Sequence, residues 1–311
     1  SIKLPGHHPG GWLPALKPVG WLLFNPISLS LFSVLLVATC LFGLFSISTV
    51  ATKVPSLGHL LTPQHLLLVL VCFSIAKILH ELGHALACQY AGRECTELGI
   101  LLLVFMPCLY CDVSDMWTEK SRSRRILVSL AGVYVEMAIA LVCFWIWFFT
   151  VPGPLNYLCY SLLLITSINT LFINGNPLMR YDGYYALSDL AKIPNLSAAA
   201  RAHVNDVMGK FFLRRDQWFG RTSKTGFLWT YGVSAAVYRW VILTVVAFGI
   251  WKFFGFQQLR AIGNVVVTLV ACTLAIPLLI AMKRTTGRVF SQGLRWGNTL
   301  LVALIVAGIG F

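Results

Sequence analysis

Charge is what this sequence lacks. Only 11% of its 311 residues are Asp, Glu, Lys or Arg, while 58% are hydrophobic and mean hydropathy is +0.77. A soluble domain carries about 25% charged residues, and one core of this size could not hide so much apolar side chain. The shortage excludes a soluble enzyme, a disordered chain and a free nucleic-acid-binding module. Acidic residues are scarcest: there are 11, and no Glu follows Glu136. Internal repeats and low-complexity tracts are missing, and so is a disulfide framework. The nine cysteines are odd in number, and Cys40, Cys72, Cys88, Cys143, Cys159 and Cys272 sit inside apolar runs, where they behave as small hydrophobes. Cys108 and Cys111 form a CxxC without a second pair nearby, so neither a structural metal site nor a redox centre is expected there. The chain has no signal-peptide pattern and no initial Met. Its last apolar run, 297–311, is short for a membrane span, which suggests a fragment of a longer protein.

Long apolar runs occur near 28–50, 66–90, 124–150, 155–174, 227–251, 261–282 and 297–311. They predict an all-α polytopic membrane protein with six to seven transmembrane helices. The stretch 97–112 is too short to span, contains Pro107 and is bounded by Glu97 and Asp112, so it reads as a re-entrant segment or β-hairpin. The predicted organisation is an interfacial segment at 1–27, carrying Trp12 and Trp21, a core at 28–195, a basic cytoplasmic segment at 196–226, and C-terminal helices at 227–311. With the N-terminus in the cytoplasm, 19 of the 24 basic residues fall on that side and three on the other. That asymmetry predicts a multi-pass protein of the cytoplasmic (inner) membrane and explains the net charge of +13 without nucleic acid. The basic stretch Arg214, Arg215, Arg221 and Lys224 has anionic membrane lipid as its expected partner. His7 and His8 are assigned to a mobile terminus.

Within the second span stands His80-Glu81-Leu82-Gly83-His84. On a helix, residues i and i+4 share a face, so both imidazoles can reach one Zn²⁺, with Glu81 beside them as base toward a water. Three ionisable groups within five residues of a membrane span need a functional reason. A third ligand is required. The positions where a metzincin would have Gly and His hold Ala87 and Tyr90, and a downstream Glu is lacking. Glu94, Glu97 and Glu119 fall in the hairpin loop. That leaves Asp182, in Asn-Gly-Asn-Pro-Leu-Met-Arg-Tyr-Asp-Gly at 174–183. Two His, a carboxylate and an open position make a catalytic zinc set. At ~1.5 Å per residue, His80 and His84 lie about 21–27 Å along their span, toward the cytoplasmic side of a ~30 Å layer. The fourth span delivers Asp182 at a similar depth.

HELGH followed by NGNPLMRYDG resembles the site-2 protease family of intramembrane zinc metalloproteases, peptidase family M50, which pairs HExxH with a distal NxxPxxxLDG. Asn174, Pro177, Asp182 and Gly183 fall on the pattern, and Tyr181 replaces its Leu. HELGHALACQYAG and DGYYALSDLAKIPNL are similar to a bacterial branch of peptide zinc metalloproteases linked to ribosomal-peptide maturation or to HlyD-like export adaptors. The resemblance covers roughly 66–195. It implies that His80, His84 and Asp182 bind zinc, that Glu81 is the catalytic base, that Asn174 bonds the substrate backbone, and that the substrate is a membrane-embedded or membrane-delivered peptide. Where the family often carries GPxxN, this chain reads Ala131-Gly132-Val133-Tyr134-Val135-Glu136. Glu136 in mid-span is read as a partner for a zinc-ligating His, a counter-ion to Lys77, or a protonated carboxyl. The alternatives are a non-proteolytic export or docking subunit that keeps the fold, and a transporter, which should show paired broken spans.

Overall fold

The computed structural model describes residues 2–3, 6, 8–60, 62–103, 106–212 and 224–256, with part of 261–269. Two compact units divide the chain, Ser1–Lys192 and Ile193–Phe311.

The first unit opens with a short strand, β1 (Ile2–Lys3), and two 3₁₀ turns that lead into α1 (Lys17–Phe24). Asn25 ends this helix and starts the next. Its amide donates to the carbonyls of Trp21 and Leu22, while its side-chain oxygen accepts from the Ser28 N–H. Pro26 occupies the first turn of α2 (Pro26–Phe45), where a missing N–H costs nothing. Two short helices, α3 (Ile47–Lys53) and α4 (Leu57–Leu60), precede α5 (Pro63–Tyr90), which Thr62 caps. Strands β2 (Glu97–Leu103) and β3 (Met106–Asp112) form an antiparallel hairpin, paired from Glu97↔Asp112 to Leu103↔Met106. Then come α6 (Arg122–Phe149), α7 (Pro154–Ile168), which continues as a π-helix over Asn169–Asn174, and α8 (Asp182–Ala191). The second unit contains α9 (Leu196–Phe212) packed on α10 (Thr225–Phe256).

Among the described residues, five helices are long and apolar enough to cross a membrane: Pro26–Phe45, Pro63–Tyr90, Arg122–Phe149, Pro154–Asn174 and Thr225–Gly255. Exposed Leu31, Val34, Val37 and Leu44 line the outside of α2, where lipid is the only solvent that accommodates them. The chain is an all-α polytopic membrane protein with a small sheet. The expected runs at 261–282 and 297–311 fall largely or wholly outside the described residues, as do Arg214, Arg215 and Arg221.

The hairpin expected at 97–112 is a true β-hairpin. The sheet order is β1-β2-β3, so β3 is an edge strand, where Pro107 is tolerated. The N-terminal segment is not loose: the Gly6 N–H donates to Glu97 Oε1 at 2.8 Å, and His8 Nδ1 donates to the Thr96 carbonyl at 2.7 Å. A two-residue pairing, Ile2↔Leu102 and Lys3↔Leu101, adds the backbone term that a sequence reading could not see.

Helices α5, α6 and α7 pack together, and Ala85, Leu86, Ala87 and Cys88 of α5 share a buried cluster with Leu13, Phe24, Val128 and Ala131. The approach of α5 to α6 is close because Gly83 has no side chain. A Cβ there would stand 2.8 Å from Val135 Cγ2 and 3.1 Å from the Ala131 carbonyl oxygen. Gly83→Val should therefore destabilise the fold by about 1–3 kcal/mol. Thermal unfolding in detergent would show a lower midpoint, and an unchanged one would mean the helices separate readily here.

Candidate metal centre

One stripe of α6 faces the HELGH histidines. Val128, Gly132 and Glu136 recur every four residues, one helical turn apart, and each does something different for the site. The Val128 carbonyl accepts from His84 Nδ1 at 2.8 Å. Glu136 Oε1 lies 3.0 Å from His80 Nδ1. Gly132 leaves space: a Cβ there would overlap His80 Cε1, His80 Nε2 and His84 Nε2.

These contacts suit one tautomer for metal binding. A carbonyl only accepts, and so does an ionised carboxylate, so with a cation at the centre both histidines would carry their proton on Nδ1 and turn Nε2 lone pairs inward. The two Nε2 atoms are 3.2 Å apart. Asp182 Oδ2 joins them at 3.1 Å from His80 Nε2 and 3.5 Å from His84 Nε2, and no hydrogen-bond donor satisfies it. Three lone-pair atoms converging in a buried place repel one another unless a cation lies between them. Ligands about 2.0–2.1 Å from a tetrahedral ion stand roughly 3.3–3.5 Å apart, close to these spacings. The residues present fit a metal. Among the described residues, His80, His84 and Asp182 are the group of His, Cys, Asp or Glu so arranged, with ligand atoms within 4.8 Å of one another.

Asp182 reaches the histidines because the backbone is irregular just before it. The π-helix at Asn169–Asn174 closes with the Gly175 N–H on the Thr170 carbonyl at 2.8 Å. Its five-residue spacing keeps Asn169, Thr170 and Asn174 all buried. Asn169 Nδ2 donates to Glu136 Oε1 at 2.6 Å and Thr170 Oγ1 donates to Glu136 Oε2 at 2.7 Å, while Lys77 Nζ lies 3.4 Å from Glu136 Oε1. Glu136 itself is 0% exposed. Asp182 then begins α8, where a carboxylate meets the positive end of the helix. Arg125 holds that helix, with Nε and Nη2 on Asp189 Oδ1 at 2.9 and 2.6 Å and Nη1 on the Glu119 carbonyl.

Of the residues predicted from sequence, His80, His84 and Asp182 meet, and Glu136 and Lys77 stand behind His80. Glu81 is half-buried and within electrostatic reach of both histidines and Asp182. Asn174, expected to reach a substrate, is buried with its amide 3.3 Å from both ring nitrogens of His80. Glu97 and Glu119 are engaged elsewhere, with Gly6 and with Arg93. Sequence reasoning missed Asn169, Thr170 and the Arg125–Asp189 pair. The available signal was a polar pair inside an apolar span, five residues before Asn174.

Residues 68–305 match the profile of peptidase family M50. The chain belongs to that family. Its helices make it a membrane protein. It is also 26% identical over 122 residues to the protein of Bacillus subtilis (strain 168) named "Putative peptide zinc metalloprotease protein YydH". That match covers 39% of this chain and 46% of the relative, so the chain spans about half the relative's length. No solved structure matches.

Glu136→Gln should weaken Zn²⁺ binding by about 10–100-fold while leaving helical content unchanged, because His80 loses its charged acceptor. Competition against a chelating dye measures the affinity. Wild-type affinity in the variant would mean that His80 is oriented without Glu136.

Proposed function

We propose that this chain is a zinc metalloendopeptidase of the site-2 type, hydrolysing a peptide bond of a membrane-embedded or membrane-delivered peptide. The observation that carries the reading is the convergence of His80 Nε2, His84 Nε2 and an unsatisfied Asp182 Oδ2 inside a membrane protein of a peptidase family. Nitrogen and carboxylate ligands at tetrahedral spacing favour Zn²⁺ over a hard oxygen-seeking cation. When bound there, Zn²⁺ supplies Lewis acidity toward a water and the scissile carbonyl.

The protein's own residues do the rest. Glu81, next to His80 and half-buried beside the cluster, takes the proton of the attacking water and passes it to the leaving amine. Glu136 and the Val128 carbonyl keep both imidazoles in the Nδ1–H tautomer. Asn174 lies against His80, where its amide can also meet a substrate backbone group. The open β3 edge offers backbone pairing to an unwound peptide, compensating hydrogen bonds lost from its helix. The distribution of basic residues supports an inner-membrane protein with the 91–125 loop on the cytoplasmic side, and the basic stretch at 214–224 has anionic lipid as its proposed partner.

Metal analysis of the full chain and cleavage of model transmembrane peptides in mixed micelles test this reading together. The wild type should retain zinc and cut. Glu81→Gln should retain zinc and lose cleavage by a factor of 10² or more, the scale of general acid–base catalysis. Asp182→Ala should lose the metal and the activity. A wild type without zinc overturns the enzyme reading. Zinc with no cleavage in any variant would instead favour an export or docking subunit that keeps the fold. An active Glu81→Gln would show that Glu81 is not the base.

A further inference from the structure

Peptide hydrolysis leaves two nearby thiols without a task. Cys95 Sγ and Cys111 Sγ are 3.2 Å apart, and both cysteines are unbridged. Cys95 lies on the connector between α5 and the hairpin, and Cys111 lies on β3 at the position paired with Leu98. The connector is fixed on both sides of Cys95. The Arg93 N–H donates to the Cys88 carbonyl at 3.0 Å, and the Thr96 N–H donates to the Asp112 carbonyl at 3.1 Å. The two sulfurs therefore face each other across an anchored turn. Moving them to a bonding separation needs a shift of only about 1.1–1.2 Å.

Their surroundings separate this pair from the other cysteines. Cys143 and Cys159 are buried among aromatic rings within the spans α6 and α7, away from water-borne reagents. Cys88 is buried too, and its thiol donates to the Glu94 carbonyl. Cys95 is also buried, but its partner Cys111 is only partly buried, and both lie outside the candidate spans. The Cys111 S–H hydrogen bond lowers the Cys95 thiol below the ordinary cysteine value, so one sulfur of the pair is favoured as thiolate. Among the described residues no third metal-ligating side chain completes a cluster here.

We propose that Cys95 and Cys111 form a reversible redox site, closing to an intramolecular disulfide when a small-molecule disulfide such as oxidised glutathione accumulates. One protein thiolate attacks a sulfur of the small disulfide, forming a mixed disulfide and releasing one small thiolate. The second protein thiolate attacks the protein sulfur of that mixed disulfide and releases the other. The protein pair loses two electrons, the small disulfide gains them, and the two thiol protons finish on the two released small thiols. On the cytoplasmic side the resting state is the dithiol. Closure ties the connector that follows the HELGH helix to the return strand of the hairpin. The site stands whether or not the chain cuts peptides.

Alkylation with a maleimide and peptide mass mapping of the full chain in nanodiscs test it. Freshly purified protein should carry both thiols free. After oxidised glutathione, both should resist alkylation, a peptide linking Cys95 to Cys111 should appear, and dithiothreitol should reverse the change. Cys95→Ser and Cys111→Ser should each stop at a mixed disulfide on the remaining cysteine. The proposal falls if both thiols still alkylate fully, or if the link joins Cys111 to Cys88 or Cys108. It also falls if a second equivalent of zinc is retained and then lost in Cys111→Ser, which would make the pair metal ligands.

Discussion

A carboxylate with no exposed surface has to be compensated at every oxygen lone pair that water would otherwise satisfy, and Glu136 sets that condition for the whole centre. It lies in the middle of a membrane helix, where an unpartnered charge is strongly disfavoured. The structure answers with Lys77 and His80 from α5 and Asn169 and Thr170 from the π-helix. Three helices must therefore stand in one arrangement for the charge to be tolerated. That arrangement also points His80 Nε2 at His84 and Asp182. Tolerating the charge and shaping the metal centre are one requirement, because the donor that satisfies Glu136 is the same Nδ1–H that fixes the imidazole tautomer.

The π-helix and the start of α8 extend the same logic along the chain. A π-turn is a poorer helix than an α-turn, and such turns cluster at functional sites because they redirect side chains. Here the extra residue turns Asn169, Thr170 and Asn174 inward together. Its local cost is offset by two short hydrogen bonds to a buried carboxylate, which are stronger than neutral ones. Downstream, the Arg125–Asp189 pair anchors α8 to the first turn of α6. Asp182 is thus set from both sides, by the π-turn before it and the clamp after it.

Much of this was legible in the sequence. The five described spans, the short segment at 97–112 as a re-entrant or hairpin element and the pairing of HELGH with a distal Asp all follow from apolar runs, charge scarcity and ligand arithmetic. Glu136 was singled out for the right reason, a charge where lipid should be, but its partner stayed open between Lys77 and a histidine. The structure shows that the two readings were never exclusive, since one oxygen faces both. Asn169 and Thr170 escaped because a π-turn leaves no mark in a 3.6-residue pattern. The Arg125–Asp189 clamp escaped because it joins residues 64 positions apart, and charge counting used Arg125 only as an orientation signal. His8 was misplaced because its ring bonds a backbone carbonyl 88 residues away, a contact that no local sequence pattern announces.

The hairpin poses a backbone version of the same problem. In a low dielectric an open strand edge leaves backbone groups without partners, and each costs several kcal/mol. The short strand β1 pairs with β2 at Leu101 and Leu102, and β3 is the longer of the two edge strands among the described residues. Pro107 removes one N–H from β3 and so lowers the number of groups left wanting. Another extended backbone can pair along such an edge. A transmembrane peptide presents the complementary deficit once it unwinds, because its carbonyls and N–H groups have lost their helical partners. Pairing would offset the backbone cost of unwinding, and this is why an edge strand suits a protein proposed to cut peptides within or beside the bilayer.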